Sequence, residues 1–183
     1  MSSELKANKV SPATGTAFTF GDSGDTFTIP AGATIANSGT ATGFGKVLQV
    51  VSTTYSTKVT FTTAQYSGLQ ASITPASTSN KVLVLVTCDV ASSGNGRIQV
   101  GIRWGTTGGD TSGTELAERS QVAYGAAAAT SGILGHTSVN ALVSPSSTSL
   151  LYFKVELTKH DTGTGYMNYY DTHSSITLME VEG

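Results

Sequence analysis

From Lys81 to Trp104 the chain runs KVLVLVTCDVASSGNGRIQVGIRW, which predicts two β-strands joined by a short polar turn. The first strand carries apolar side chains on one face along its whole length: Val82, Val84, Val86, Cys88 and Val90. Its other face is also apolar in the middle, at Leu83 and Leu85. A strand that is apolar on both faces is usually central in its sheet, so we expect this one to be covered on both sides.

The second strand alternates strictly, with one apolar face formed by Ile98, Val100, Ile102 and Trp104. Period two is typical of a half-buried strand, and the inward position of Trp104 predicts a core residue. The residues Ser-Gly-Asn-Gly between the strands tolerate positive φ, which favours a hairpin turn. We therefore expect two core strands of an all-β domain that pair with each other.

The composition limits the classes of function. The 183 residues are enough for one domain and a short additional segment. The formal charge is −2 and no basic cluster occurs, which argues against nucleic acid as a partner. Neither a signal peptide nor an apolar run of membrane-spanning length is recognisable, so we expect synthesis in the cytoplasm and no membrane insertion. The single cysteine, Cys88, excludes an intrachain disulfide and is expected to be a small buried apolar residue.

Residues 1–45 differ from the rest because large apolar side chains are few. Two short one-faced strands are predicted at Phe18/Phe20 and Phe27/Ile29, on either side of the turn Gly-Asp-Ser-Gly-Asp. Such a segment cannot bury enough apolar area to offset the entropy of its own ordering. We interpret it as an extended N-terminal assembly arm that packs on another copy or on a larger assembly, or stays flexible.

Residues 46–183 show strand after strand, separated by turn residues. Alternation is clearest at Tyr55–Phe61, Leu69–Ile73 and Leu151–Leu157, and further strands are predicted at 133–143 and 175–182. The segment 115–120 fits either a short helix or an edge strand. Eight or nine strands without a long helix predict an all-β domain, an antiparallel jelly-roll-like β-sandwich.

Two groups of residues resemble parts of a catalytic or metal-binding site, but neither has the full pattern of such a site. Gly21–Asp25 is similar to the GDSGG of trypsin-like proteases, but the last glycine is Asp25 and all three histidines follow far downstream. His160, Asp161, Asp171 and His173 are suitable metal ligands, yet no two of them have the spacing of a helical ligand pair. We therefore predict solvated loop residues, with no metal, no cofactor and no catalytic residue.

Aromatic residues near the C-terminus suggest a recognition surface. Alternation places Tyr169 opposite Tyr166 and Tyr170, so at least one of the three should be exposed. Flat aromatic faces next to a Gly-Thr-Gly loop suit a sugar or another partly apolar ligand. Tyr166, Tyr169, Tyr170 and the neighbouring His173 are the candidate receptor contacts.

The sequence SSELKANKVSPATGTAFTFGDSGDTFTIPAGATI (2–35) resembles the N-terminal segment of small fibre-like structural proteins of tailed bacteriophages, especially those of marine cyanobacteria. The similar parts are the opening Lys6–Pro12 and the segment Gly21–Thr34. Further similar segments are Ile73–Lys81, Ser144–Ser149 and the ending Ile176–Glu180. The resemblance covers most of the chain and consists of turn and strand patterns.

The resemblance implies a homotrimeric virion protein, made in the host cytoplasm. Its arm, with Val10, Phe18 and Phe20 as candidate anchors, would attach to other virion proteins, and residues 46–183 would face outwards. Our first hypothesis is a tail fibre or adhesin that contacts a host surface glycan or protein. The alternative is a capsid decoration or head-fibre protein. A third hypothesis, a glycan-active enzyme, needs paired carboxylates, and the acidic residues are scattered, so we predict that the chain is not an enzyme.

Overall fold

The computed structural model describes residues 12, 14–15, 22–26, 28–33, 47–93, 96–124 and 133–183. By its contacts the chain divides into two units, Met1–Gly43 and Phe44–Gly183. In the first unit the Asp25 amide donates to the Asp22 carbonyl at 3.1 Å, which confirms the predicted polar turn. Val10, Phe18 and Phe20 lie outside the described residues, so the arm and its anchors stay a prediction.

The described residues of the second unit form ten strands. They are β1 (Val47–Tyr55), β2 (Val59–Phe61), β3 (Gln65–Ile73), β4 (Lys81–Ser92), β5 (Gly96–Gly105), β6 (Thr114–Tyr124), β7 (Ile133–Val143), β8 (Leu151–His160), β9 (Gly165–Met167) and β10 (Ser174–Val181). No helix occurs in the described residues, and within them no segment could cross a membrane as a helix.

Two antiparallel sheets form the domain. The first has the order β1-β10-β4-β7, with the short β9 beside the end of β4 and β2 beside β9. The second has the order β3-β8-β5-β6. The four long strands of the first sheet and the four strands of the second follow the strand order of a jelly roll, in which the chain passes back and forth between two facing sheets. The predicted all-β jelly-roll-like sandwich is confirmed.

The core lies between the sheets and uses the inward faces that the sequence predicts. On β4 and β8 these residues are Val82, Val84, Val86, Cys88, Val90, Leu151, Phe153, Val155 and Leu157, all buried. Burial raises the pKa of the Cys88 thiol to about 12, which keeps it protonated and unreactive. Trp104 is partly buried and stacks on Phe153, with ring centroids 6.0 Å apart.

The pairing predicted for the two central strands is wrong. β4 and β5 lie in different sheets, because both edges of β4 are already occupied: β7 pairs along Val82–Ser92, and β10 and β9 share the other edge. The connection between β4 and β5 therefore crosses from one sheet to the other. The predicted second cover over β4 is also wrong, since Leu85 is 36% exposed on the outer face.

Two local predictions can be compared with the structure. The strand predicted over Tyr55–Phe61 is broken at residues 56–58, where the chain turns from β1 into β2. The segment 115–120 belongs to β6, the edge strand of the second sheet, and not to a helix.

The loop that connects β5 and β6 covers the part of the second sheet's outer face around Lys154. Lys154 points outwards from β8 yet is only 1% exposed, because its ammonium donates to the Thr107 carbonyl at 2.8 Å and to Asp110 at 2.5 Å. The loop lies so close to the sheet that a Cβ at Gly108 would be 2.7 Å from the ring of Tyr152. Hydrogen bonds from Lys154 and Ser112 lower the pKa of Asp110, which keeps this ion pair charged.

A buried carboxylate fastens the loop before β4. Glu180, on the inward face of β10, accepts hydrogen bonds from the Ala76 amide at 2.7 Å, from Asn80 Nδ2 at 2.5 Å and from Gln49 Nε2 at 2.5 Å. Burial acts to raise the pKa of Glu180, but the three hydrogen bonds together outweigh it and lower the pKa. The carboxylate therefore stays ionised and holds the loop against the sheet.

Candidate recognition site

The three tyrosines of the predicted recognition surface lie together. Tyr166 is in β9, and the ring centroid of Tyr169 lies 4.6 Å from that of Tyr166 and 4.5 Å from that of Tyr170. The predicted alternation of side-chain directions does not extend to Tyr169 and Tyr170, because β9 ends at Met167. The next residue, Asn168, has φ of 55°, which reverses the chain and brings all three rings into one cluster. Asparagine is among the residues that tolerate this left-handed conformation best.

Asn168 holds this turn in place through its side chain. Its Nδ2 donates to the Tyr55 carbonyl at 2.8 Å and to the Thr57 carbonyl at 3.2 Å. Its Oδ1 accepts from the Ser174 hydroxyl at 2.7 Å, and its backbone amide donates to the Asp89 carbonyl at 3.0 Å. The side chain is buried, so these bonds are shielded from water. One residue thus joins the β1–β2 loop, the end of β4 and the start of β10.

Like Asn168, Lys58 is a residue of this site that sequence reasoning missed. It lies in the β1–β2 loop, and its ammonium is 4.1 Å from the ring centroid of Tyr169 and 5.0 Å from that of Tyr166. Cations above tyrosine faces at these distances are attracted to the ring. The strand pattern predicted over Tyr55–Phe61 placed Lys58 on a solvated face, and no local signal indicates that its partners follow more than a hundred residues later.

An open cavity of about 280 Å³ lies beside the cluster. It is lined by Ser56, Lys58, Asn168, Tyr169, Tyr170 and Asp171. Tyr170 is 61% exposed and offers a ring face to a ligand, while Lys58 can donate and Asp171 can accept hydrogen bonds. The cavity can therefore bind a partly apolar ligand that carries hydroxyl groups.

The cavity lies at the end of the first sheet that is opposite the start of β1. β1 starts at Val47 and runs for nine residues to Tyr55, next to the cavity. At about 3.4 Å per residue, the two ends of β1 are roughly 27 Å apart. Val47, the first residue of β1, therefore lies at the end of the sheet opposite the tyrosines.

The remaining candidate residues are not part of this cavity. His173 is exposed but does not contribute to its lining. His160 Nε2 lies 2.9 Å from the side-chain amide of Gln99, on the second sheet. In the described part of the chain no three His, Cys, Asp or Glu side chains form a group that could hold a metal ion.

No family model matches the chain, and no curated protein matches it. Among solved structures, the chain is similar to the structure of infectious bursal disease virus Gx strain, with 15% sequence identity and a TM-score of 0.39. The similarity covers 73% of this chain and 36% of that one, so the chain spans little more than a third of that protein's length. The jelly-roll assignment rests on the strand order of this chain.

Proposed function

We propose that this chain is a structural protein of a bacteriophage virion, a homotrimeric tail fibre or adhesin that contacts the host surface through the cavity beside Tyr170. One observation carries the proposal: the exposed aromatic cavity and Val47, the first residue of β1, lie at opposite ends of the first sheet. This arrangement suits a protein that is anchored by its N-terminal residues and presents the opposite end. The phage resemblance of residues 2–35 supports the same orientation.

The ligand class that fits the cavity is a host surface glycan. An exposed tyrosine face packs against the C–H groups of a sugar ring, and the neighbouring Lys58 and Asp171 exchange hydrogen bonds with its hydroxyls. An exposed loop of a host surface protein is the second possibility within this proposal, since a tyrosine-rich patch also suits a protein partner.

Two experiments test the proposal. Immunogold labelling of purified particles with an antibody against the chain should place it at the tail. Label on the head would support a decoration or head-fibre protein instead, and particles without label would contradict any virion role.

The second experiment measures glycan-array binding of the purified chain and of Tyr170→Ala. We expect the variant to lose about tenfold or more in affinity, equivalent to about 1.4 kcal/mol of lost contact. The control is Leu150→Ala, because Leu150 is similarly exposed, at 46%, and precedes β8 of the other sheet. If Tyr170→Ala and Leu150→Ala bind glycans equally well, the cavity beside Tyr170 is not the binding site.

A further inference from the structure

Two opposite charges line the cavity beside Tyr170 and do not pair with each other. Among the described lining residues Lys58 is the cation and Asp171 the anion. The ammonium of Lys58 lies over the rings of Tyr169 and Tyr166, 4.1 and 5.0 Å from their centroids. Within the described residues neither Lys58 nor Asp171 has a hydrogen bond or an ion pair. The donors of Lys58 and the acceptors of Asp171 are therefore available to a ligand.

The turn that carries Asp171 has an uncommon backbone conformation at both of its ends. Asn168 has φ of 55° and Asp171 has φ of 53°, which is the left-handed region. Non-glycine residues in this region are often found where a ligand is held. The conformation of Asn168 is explained by the hydrogen bonds of its buried side chain. Asp171, in contrast, is exposed, so the turn presents at the cavity a carboxylate that no contact with the described residues requires.

The size of the cavity and its exposed ring restrict the ligand further. Its volume of about 280 Å³ is close to the lower end of the roughly 300–1,000 Å³ that is usual for pockets with drug-sized ligands, so it suits a single sugar unit. Tyr170, 61% exposed, offers an apolar face. A matching sugar therefore carries an apolar group for this ring, an acceptor for Lys58 and a donor for Asp171.

We propose that the cavity selects sugars that carry an N-acetylated amino group. The carbonyl and the N–H of a trans amide point in opposite directions, so Lys58 donates to the carbonyl while Asp171 accepts from the N–H. The acetyl methyl group packs against the ring of Tyr170. The acetamido group is neutral, so neither charge of the cavity repels it. A carboxylate on the sugar would face Asp171, and a free ammonium would face Lys58.

This inference rests on the proposed glycan binding and adds the class of sugar. The test compares binding of the full chain to four array glycans that differ only in the terminal sugar: N-acetylglucosamine, glucose, glucosamine or glucuronic acid. We expect N-acetylglucosamine to bind about tenfold more tightly than glucose, which is the order expected for one hydrogen bond to a charged group. The ratio of these two affinities is the readout, because contacts with hydroxyl groups that both sugars share cancel in it.

Two variants assign the preference to the charged side chains. Lys58→Met keeps the aliphatic stem and removes the donors, and Asp171→Gly removes the acceptors at a φ of 53° that glycine adopts without strain. Each should lower the affinity ratio towards one, whereas Leu150→Ala, on the other sheet, should leave it unchanged. Near-ultraviolet circular dichroism should show that all variants are folded.

The outcomes separate this inference from the proposed function. Binding that depends on Tyr170 but shows no preference for the acetamido sugar would overturn the inference alone. A preference that survives Lys58→Met or Asp171→Gly would also overturn it, as would tighter binding of glucuronic acid or glucosamine. No binding to any glycan would overturn both the inference and the proposed glycan recognition.

Discussion

Replacement of Asn168 by alanine tests whether the recognition site is built around this side chain. The variant loses two hydrogen bonds from Nδ2, to the carbonyls of Tyr55 and Thr57, and one to Oδ1 from Ser174. At about 1 kcal/mol each, these bonds contribute about 3 kcal/mol to the free energy of unfolding. Alanine at a φ of 55° adds about 1 kcal/mol of strain. A total loss of about 4 kcal/mol is a large part of the ~5–15 kcal/mol that stabilises a typical domain.

The matched variant is Asn168→Asp, which keeps the size, the acceptor for Ser174 and the tolerance of positive φ. At neutral pH its carboxylate would face the two carbonyl oxygens of Tyr55 and Thr57 and lack both donated bonds. Burial and the facing carbonyls should raise the pKa of this aspartate above its ordinary value of about 3.9. The loss in free energy of unfolding for Asn168→Asp, relative to the unaltered protein, should therefore shrink as the pH falls through the raised pKa. The corresponding loss for Asn168→Ala should not depend on pH.

The assay is urea unfolding at several pH values between 7 and 4, followed by the fluorescence of Trp104, the single tryptophan. The near-ultraviolet circular dichroism of the tyrosines reports whether the cluster of Tyr166, Tyr169 and Tyr170 persists in the folded variants. If Asn168→Ala unfolds within about 0.5 kcal/mol of the unaltered protein, the change is no larger than that of an ordinary surface substitution. The argument that Asn168 holds the site would then be refuted.

Three further predictions concern the core, the buried carboxylate and the arm. Val86→Asp should lower the free energy of unfolding by several kcal/mol, because Val86 is 1% exposed among apolar neighbours. Its control, Arg97→Asp at an exposed position, should change the free energy of unfolding by about 0.5 kcal/mol or less. Equal melting temperatures of the two variants would show that the faces of β4 are misassigned. The lowered pKa of Glu180 means that its ionised form stabilises the fold at pH values above the ordinary glutamate pKa of 4.5, and that this contribution is lost as the pH falls below it. Thermal unfolding between pH 6 and 3 should show this acid-dependent loss in the unaltered protein and a weaker one in Glu180→Gln, so parallel curves would contradict the assignment. Deletion of residues 1–45 should leave a folded β-domain that fails to enter particles, and normal incorporation would exclude the arm as the anchor.

The sequence predicts which face of a strand is buried better than it predicts which strands lie next to each other. Period-two alternation places Val86 and Phe153 in the core, because each strand position has a defined side of the sheet. Alternation contains no information about which strand lies alongside. The glycines between β4 and β5 permit a hairpin, but β7, β9 and β10 occupy both edges of β4, so the chain crosses to the other sheet. Strand order depends on this competition between distant segments, which no local pattern records.

The contacts of polar residues are harder to predict from the sequence than the burial of apolar ones. Lys154 alternates as a solvent-facing residue of β8 and does point outwards, yet a loop more than forty residues earlier covers it. Lys58 likewise meets the tyrosines only after the fold has brought the β1–β2 loop to β9. In both cases the partner is distant in sequence. The tyrosines themselves could be named in advance because they are adjacent in the chain, although their common side depends on the turn at Asn168.

Leu85 lies on the face of β4 for which the described residues do not supply the predicted cover. The apolar positions Leu83 and Leu85 on the second face of β4 predict a covered strand, and the single chain leaves that face exposed in a row from Val50 to Leu142. A monomeric protein gains nothing from such a row, since apolar side chains in water add no stability and favour aggregation. The double apolar pattern of β4 thus predicts burial correctly for the face of Val84 and Val86 and wrongly for Leu85 on the opposite face.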